Sequence, residues 1–345
     1  MQALRRPMTS RRSGGSHEGV TGSIGPAISG HSALARLFTP EVVARLGQVR
    51  RPPTSRWDEA GRLIRQRHTI LGPEATPRTP RQIAWRETWA RYLDAADACG
   101  LLAATDLGAR LVDTDDDNFR GALAECLAAW FLTNMLGITV EPNPDDHQRR
   151  NADLRARIGG LRLLVEVKAP FVPVTNSVFS GDDPADIVRC IKAAGRQFQK
   201  GCANLLVLVP TLRTPLSMDR GQLVGAAIGH EGRVFSVSLV PDVDPPPPEP
   251  FFLQDGKLAK RYPCKTGGFT SDFTRVGAVM SIEEQLVPGE DQLRVDHVAL
   301  VVHNPFAAVP IRPATFGSMA QFVFDGPAMH WRETDRSRAA SDEEP

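Results

Sequence analysis

Apolar residues fall at every second position on each side of Gly159-Gly160 between Asp153 and Lys168, with Leu164 the one apolar residue on the other face, and this run is flanked by stretches in which apolar residues recur every three to four positions. The alternation predicts two strands, and Gly159-Gly160 between them predicts a two-residue hairpin turn, because both central residues of such a turn need positive φ. Upstream, Asp115-Asp116-Asp117-Asn118 offers N-cap side chains to a helix over 119–132, with Phe119, Leu123, Cys126, Leu127 and Trp130 at helical spacing. A short strand is expected near Ile138–Val140. Downstream, Asp183-Pro184 opens a helix running to about Lys200, where Gly201 ends it. Leu205–Val209 is a continuous apolar run, the pattern of a strand buried on both faces. Arg233–Val240, Val276–Ile282 and Val295–Val302 read as further strands, the last two extending the sheet edge, with Pro245–Pro248 as a stiff connector. Thr39-Pro40 opens a short helix to about Arg50. Thr79-Pro80 opens a longer one whose apolar face is Trp85, Trp89, Tyr92, Leu93 and Ala96. The fold class is therefore α/β, with a helical region before the sheet.

The hairpin carries the chemistry. With Ile158 opposite Leu161, counting outward puts Asp153 opposite Glu166. Asp153, Glu166 and Lys168 then share one face, while Leu154, Ala156, Ile158, Leu161, Leu163, Val165 and Val167 share the other and form the core side. Two acids with Cβ atoms about 5 Å apart repel unless a cation lies between them. A hard divalent ion such as Mg²⁺ is the simplest one. Glu125, a charge inside the otherwise apolar helix, also needs a partner or a metal.

This pattern resembles the PD-(D/E)XK nuclease superfamily, in which an acid at the edge of one strand is followed by Glu-X-Lys on the next. The resemblance covers roughly residues 117–210, and implies a restriction-endonuclease-like three-layer core of helix, mixed sheet and helix. It implies Asp153 and Glu166 as ligands of Mg²⁺, or of Mn²⁺ in its place, with the Val167 carbonyl as a third ligand. Lys168 would orient or deprotonate the attacking water and stabilise charge on the phosphate, and Glu125 would complete the site from the preceding helix. The metal would polarise the phosphoryl oxygen and lower the pKa of the water. Asp145 is a rival for the Asp position, since Pro144-Asp145 reproduces the family's Pro-Asp pair. Its neighbours are a polar, loop-like run, whereas the turn sets Asp153 in register with Glu166.

Other features change the picture less. Arg189, Lys192, Arg196 and Lys200 recur on the outer side of the second helix, either as a solvated face or as a backbone-tracking stripe for nucleic acid. Gln197 reads as a core-edge amide or as a site-adjacent glutamine. His303-Asn304-Pro305 reads as the end of a strand in a turn, a structural role in preference to a catalytic His. Residues 1–91 hold 16 arginines, no lysine and 6 acids, a net of +10 against +1 for the whole chain, which suits a polyanionic partner. The arginine excess equally fits a GC-rich coding sequence.

The expected organisation is a disordered basic arm over 1–34, helices over 35–112, a nuclease-like domain over 113–331 and a disordered tail over 332–345. Five scattered cysteines without a Cys-X-X-Cys pair argue against a zinc knuckle or disulfide framework, and for a reducing, cytoplasmic setting. No secretory signal, membrane span, Walker loop, Gly-X-Ser-X-Gly elbow or His-Glu-X-X-His is present. The expectation is a Mg²⁺-dependent endonuclease acting on nucleic acid, DNA before RNA, as a monomer or a homodimer. The alternatives are a non-catalytic nucleic-acid-binding module on the same fold, and a structural protein whose hairpin charges pair with one another.

Overall fold

The computed structural model describes residues 32–50, 59–73, 76–143, 152–170, 185–210, 223–224, 227, 229–234, 249–255, 260–261, 269–270, 273–325 and 330–334. Its helices are α1 (Ser32–Leu37), α2 (Pro40–Gln48), α3 (Glu59–Arg65), α4 (Arg67–Leu71), α5 (Pro80–Ala98), α6 (Leu101–Ala104), α7 (Leu107–Leu111), α8 (Asp116–Trp130) and α9 (Ala185–Gln197). The strands are β1 (Thr139–Pro142), β2 (Leu154–Ile158), β3 (Leu161–Lys168), β4 (Ala203–Leu208), β5 (Gly229–Val234), β6 (Glu249–Asp255), β7 (Lys260–Arg261), β8 (Phe269–Thr270), β9 (Ala278–Pro288), β10 (Leu293–His303), β11 (Ala320–Asp325) and β12 (His330–Thr334).

Eight strands form one mixed sheet in the order β1-β2-β3-β4-β9-β10-β11-β12, and β5–β6 and β7–β8 form two small antiparallel pairs. The hairpin register is the expected one. Ile158 pairs Leu161 and Leu154 pairs Val165, with Gly159 at φ 50° and Gly160 at φ 82° making the turn. Beyond the hairpin, β4 runs parallel to both β3 and β9. The later strands thus continue the sheet past β4, which leaves β4 in the interior with every residue buried.

Alternation divides the sheet into two cores. Leu154, Ala156, Leu163, Val165, Val167, Leu205 and Val207 meet α5 and α8 on one face. Leu164, Leu206 and Leu208 meet Ile187 and Ile191 of α9, and Phe198 just after it, on the other. The side of the hairpin that bears the acids is therefore also a core, closed by α9.

Local signals explain the helices. Thr79 and Gln82 form a capping box at the start of α5, and Trp85, Trp89, Tyr92, Leu93 and Ala96 are all buried. Asp115 accepts from the amides of Asp117 and Asn118 to start α8. After Trp130 the chain widens into one π-helical turn, Phe131–Met135, before β1.

Some boundaries differ from expectation. Ser32–Leu34 belong to α1, with Ala33 and Leu34 buried, so they are part of the body and not of a basic arm. Arg332–Thr334 belong to β12 because they complete a ladder with β11, so the tail cannot begin at Arg332. α9 ends at Gln197, before Lys200. Residues 1–31 and 335–345, Asp183-Pro184, Phe235–Val240 and Pro245–Pro248 lie outside the described residues. His303 is the last residue of β10, packed inside with its ring nitrogens 3.0 Å from the Ile311 carbonyl and 2.8 Å from Gln321 Oε1. The strand ends there and the chain turns at Pro305-Phe306, as expected, with His303 itself packed in the core.

The basic N-terminal third also needs correction. Arg67 is fully buried, bonded to the carbonyls of Ile64 and Asp113 and to Asp116 at the start of α8, with its guanidinium 4.8 Å from the centre of the Phe119 ring. Arg78 and Arg86 donate to the carbonyls of Ile70 and Gly72. These arginines satisfy helix-end carbonyls and anchor α8, so the +10 is not all available to an outside polyanion.

Candidate active site

Three segments bring the predicted acids and lysine together. Glu166 and Lys168 come from the C-terminal half of β3, side by side on the face covered by α9. Asp153 immediately precedes β2, one step beyond the last ladder pair, so it does not pair across the sheet as counting suggested. Its Oδ2 instead accepts the Val167 amide proton at 2.7 Å. Glu125 comes from α8 on the opposite side of the sheet, and its charge nevertheless acts on Glu166, as does that of Asp153.

The electrostatics follow from burial and crowding. Glu166 is 0% exposed, and loss of water, then the charge of Asp153, push its carboxyl up to about 8 against the pull of Lys168. Burial, then Asp153, raises Glu125 to about 7, opposed by Arg110. Burial also raises Asp153, in spite of Lys168 and the Val167 amide. For Lys168, burial works against the charge, but Glu166 and Asp153 outweigh it, and the ammonium is held above its ordinary value. Lys168 bonds Glu166 Oε1 directly. Glu166 Oε2, equally buried, has no partner among the described residues.

That orphaned oxygen is the feature that fits a cation. A fully buried carboxylate oxygen without a donor is costly unless the group is protonated or a cation sits against it. Among the described residues no group of three or more His, Cys, Asp or Glu side chains is arranged to hold a metal ion. A site of two carboxylates and a main-chain carbonyl needs no third side chain, so Asp153, Glu166 and the Val167 carbonyl remain a chemically suitable oxygen set for a hard ion.

The remaining predicted residues fall around this cluster. Arg189, Lys192, Arg196 and Lys200 are exposed, the first three on the outer side of α9. Cys190 of α9 lies close enough to Lys168 for the two charges to interact, so this helix borders the site. Gln197 is half-buried and its Oε1 has no partner among the described residues. Asp145 lies outside the described residues.

Two groups escaped the sequence reading. Arg110 of α7 places Nη2 2.8 Å from Glu125 Oε1, a contact that depends on how α7 crosses α8 and leaves no local signal. Tyr92, Glu284 and His297 form a second buried polar cluster: the Tyr92 hydroxyl donates to Glu284 Oε1 at 2.9 Å and also meets His297 Nε2. Here a signal existed. Glu284 alternates in phase with Met280 and Ile282, and His297 with Val295 and Val301, so both were due on the core face beneath α5.

Among the described residues no helix is long and apolar enough to cross a membrane. No protein-family model, curated protein or solved structure matches this chain, so its family rests on no comparison.

Proposed function

We propose that the chain is a divalent-metal-dependent nuclease on a restriction-endonuclease-like core, hydrolysing phosphodiester bonds of nucleic acid, with DNA ahead of RNA as substrate. The observation that carries this reading is the gathering of Glu125, Asp153, Glu166 and Lys168, with Glu166 Oε2 buried and unpartnered among the described residues. Asp153, Glu166 and the Val167 carbonyl would hold Mg²⁺ or Mn²⁺. When bound, such an ion supplies Lewis-acid polarisation of the phosphoryl oxygen and acidifies a water molecule.

The chain's own groups do the rest. Lys168 keeps its proton because Glu166 and Asp153 hold its charge in place, so its task is to donate: to the attacking water as an orienting group and to the phosphate as countercharge. The Val167 amide fixes Asp153, and Glu125 borders the site from α8. The exposed basic residues of α9, the helix that borders the site at Cys190, would follow a phosphate backbone.

The Lys168–Glu166 ion pair favours a second reading, a structural hairpin whose charges neutralise one another. It leaves Glu166 Oε2 and the mutual repulsion of three acids unexplained. The test is cleavage of supercoiled plasmid, single-stranded DNA and structured RNA with Mg²⁺, Mn²⁺ or EDTA, by wild type, Asp153→Ala and Lys168→Ala. Metal-dependent cutting lost in both variants is the expected result. Binding of nucleic acid with no cutting under any metal would instead indicate the non-catalytic module.

A further inference from the structure

The acidic cluster contains a cation that comes from outside the strand and helix core. Arg110 reaches in from α7, with Nη2 2.8 Å from Glu125 Oε1 and Nη1 3.7 Å from Asp106 Oδ1, and its charge also acts on Asp153. This approach requires a bare stretch of helix. A Cβ at Gly121, one turn before Glu125 on the same side of α8, would come within 2.9 Å of Arg110 Nη2. Glycine is a poor choice for the interior of a helix, so its presence here matches the space the guanidinium occupies. The cluster then holds three acids, Glu125, Asp153 and Glu166, and two cations, Arg110 and Lys168, and Glu166 Oε2 is the oxygen left over.

We propose that Arg110 is an internal counter-cation of this site that offsets the charge of Glu125 and competes with the divalent ion for the acidic cluster, so that the N-terminal helices set the metal affinity. The inference rests on the metal-site reading above. A fixed positive charge beside the acids weakens the attraction of a second cation, and its removal strengthens it. A merely structural arginine would do the opposite, since its loss would loosen Glu125 and weaken the site.

Mn²⁺ binding to the full chain, followed by the loss of the free-ion paramagnetic resonance signal, distinguishes these. Arg110→Gln should bind Mn²⁺ roughly three- to tenfold more tightly than wild type. Arg110→Lys, which keeps the charge, should restore wild-type affinity. Gly121→Ala keeps the arginine in the chain but pushes it from Glu125; it should tighten binding in the same direction by less, and alanine favours the helix, so this variant stands if Arg110→Gln fails to fold. Unchanged or weaker Mn²⁺ binding in both Arg110→Gln and Gly121→Ala, with wild type binding and Glu166→Gln not binding, overturns the inference alone. No Mn²⁺ binding by wild type, or equal binding by Glu166→Gln, overturns the metal site on which it rests.

Discussion

Glu166 and Glu284 stand on strands of one sheet, both buried, each with Oε1 engaged and Oε2 without a partner among the described residues. Burial raises both carboxyls, Glu166 to about 8 and Glu284 to about 7. Their company separates them. Glu166 lies among Lys168, Asp153 and Glu125, all chargeable, whereas Glu284 is served by the Tyr92 hydroxyl beside a His297 ring that burial, then Arg91, pushes down to about 4. At neutral pH that ring is uncharged, and a His297 Nε2–H donating to the Tyr92 oxygen, which donates in turn to Glu284, satisfies the chain of contacts. Desolvation alone therefore does not mark a site. Excess negative charge around a desolvated group does, because it calls for a cation from outside.

The sharpest way to break this comparison is to neutralise each glutamate in turn. Glu166→Gln should lower metal-dependent cleavage by roughly 10³-fold or more, while Glu284→Gln should stay within about twofold of wild type, both read as initial rates on plasmid. Equal losses would erase the distinction. The next effect is on stability. Folded Glu284 holds its proton up to about pH 7, whereas the unfolded chain releases it near 4.5, so the folded state binds more protons in that window and loses stability as pH rises through it. Glu284→Gln should accordingly be more stable than wild type by about 3 kcal/mol at pH 8 and by little at pH 4.5, measured by urea unfolding at both.

Smaller effects sharpen the picture. Tyr92→Phe leaves Glu284 Oε1 and His297 Nε2 unserved, and should cost about 1–3 kcal/mol at pH 8 in the same unfolding assay. Arg189→Ala or Lys192→Ala should change stability by less than about 0.5 kcal/mol. If α9 contacts phosphates, each should reduce the salt dependence of nucleic-acid binding by about one counterion.

What could be read from the chain in advance depended on distance along it. The β2–β3 register follows from Gly159-Gly160 and from an alternation broken only at Leu164, both local, and the capped helices α5 and α8 follow from Thr79 and Asp115. Arg110 and Glu125 are also near in sequence, yet their contact depends on a helix crossing that no spacing encodes. Tyr92 and Glu284 are 192 residues apart, and only the phase of Glu284 among apolar neighbours hinted at its burial. The arginines of the N-terminal third misled in the other direction. Composition counts charges but not the carbonyls that Arg67, Arg78 and Arg86 bond.

The interior position of β4 has a consequence for how the chain is made. β4 ends at Leu208, and its neighbour β9 begins at Ala278, about 70 residues later. At a synthesis rate of 5–20 residues per second, roughly 4 to 14 s separate the two strands. Throughout that interval the hairpin and β4 can assemble, but one side of β4 carries an unpaired row of amides and carbonyls between side chains that are all apolar except Asn204. The nascent chain is then most prone to pair with a neighbour, and the strand that protects it arrives only when that interval is over.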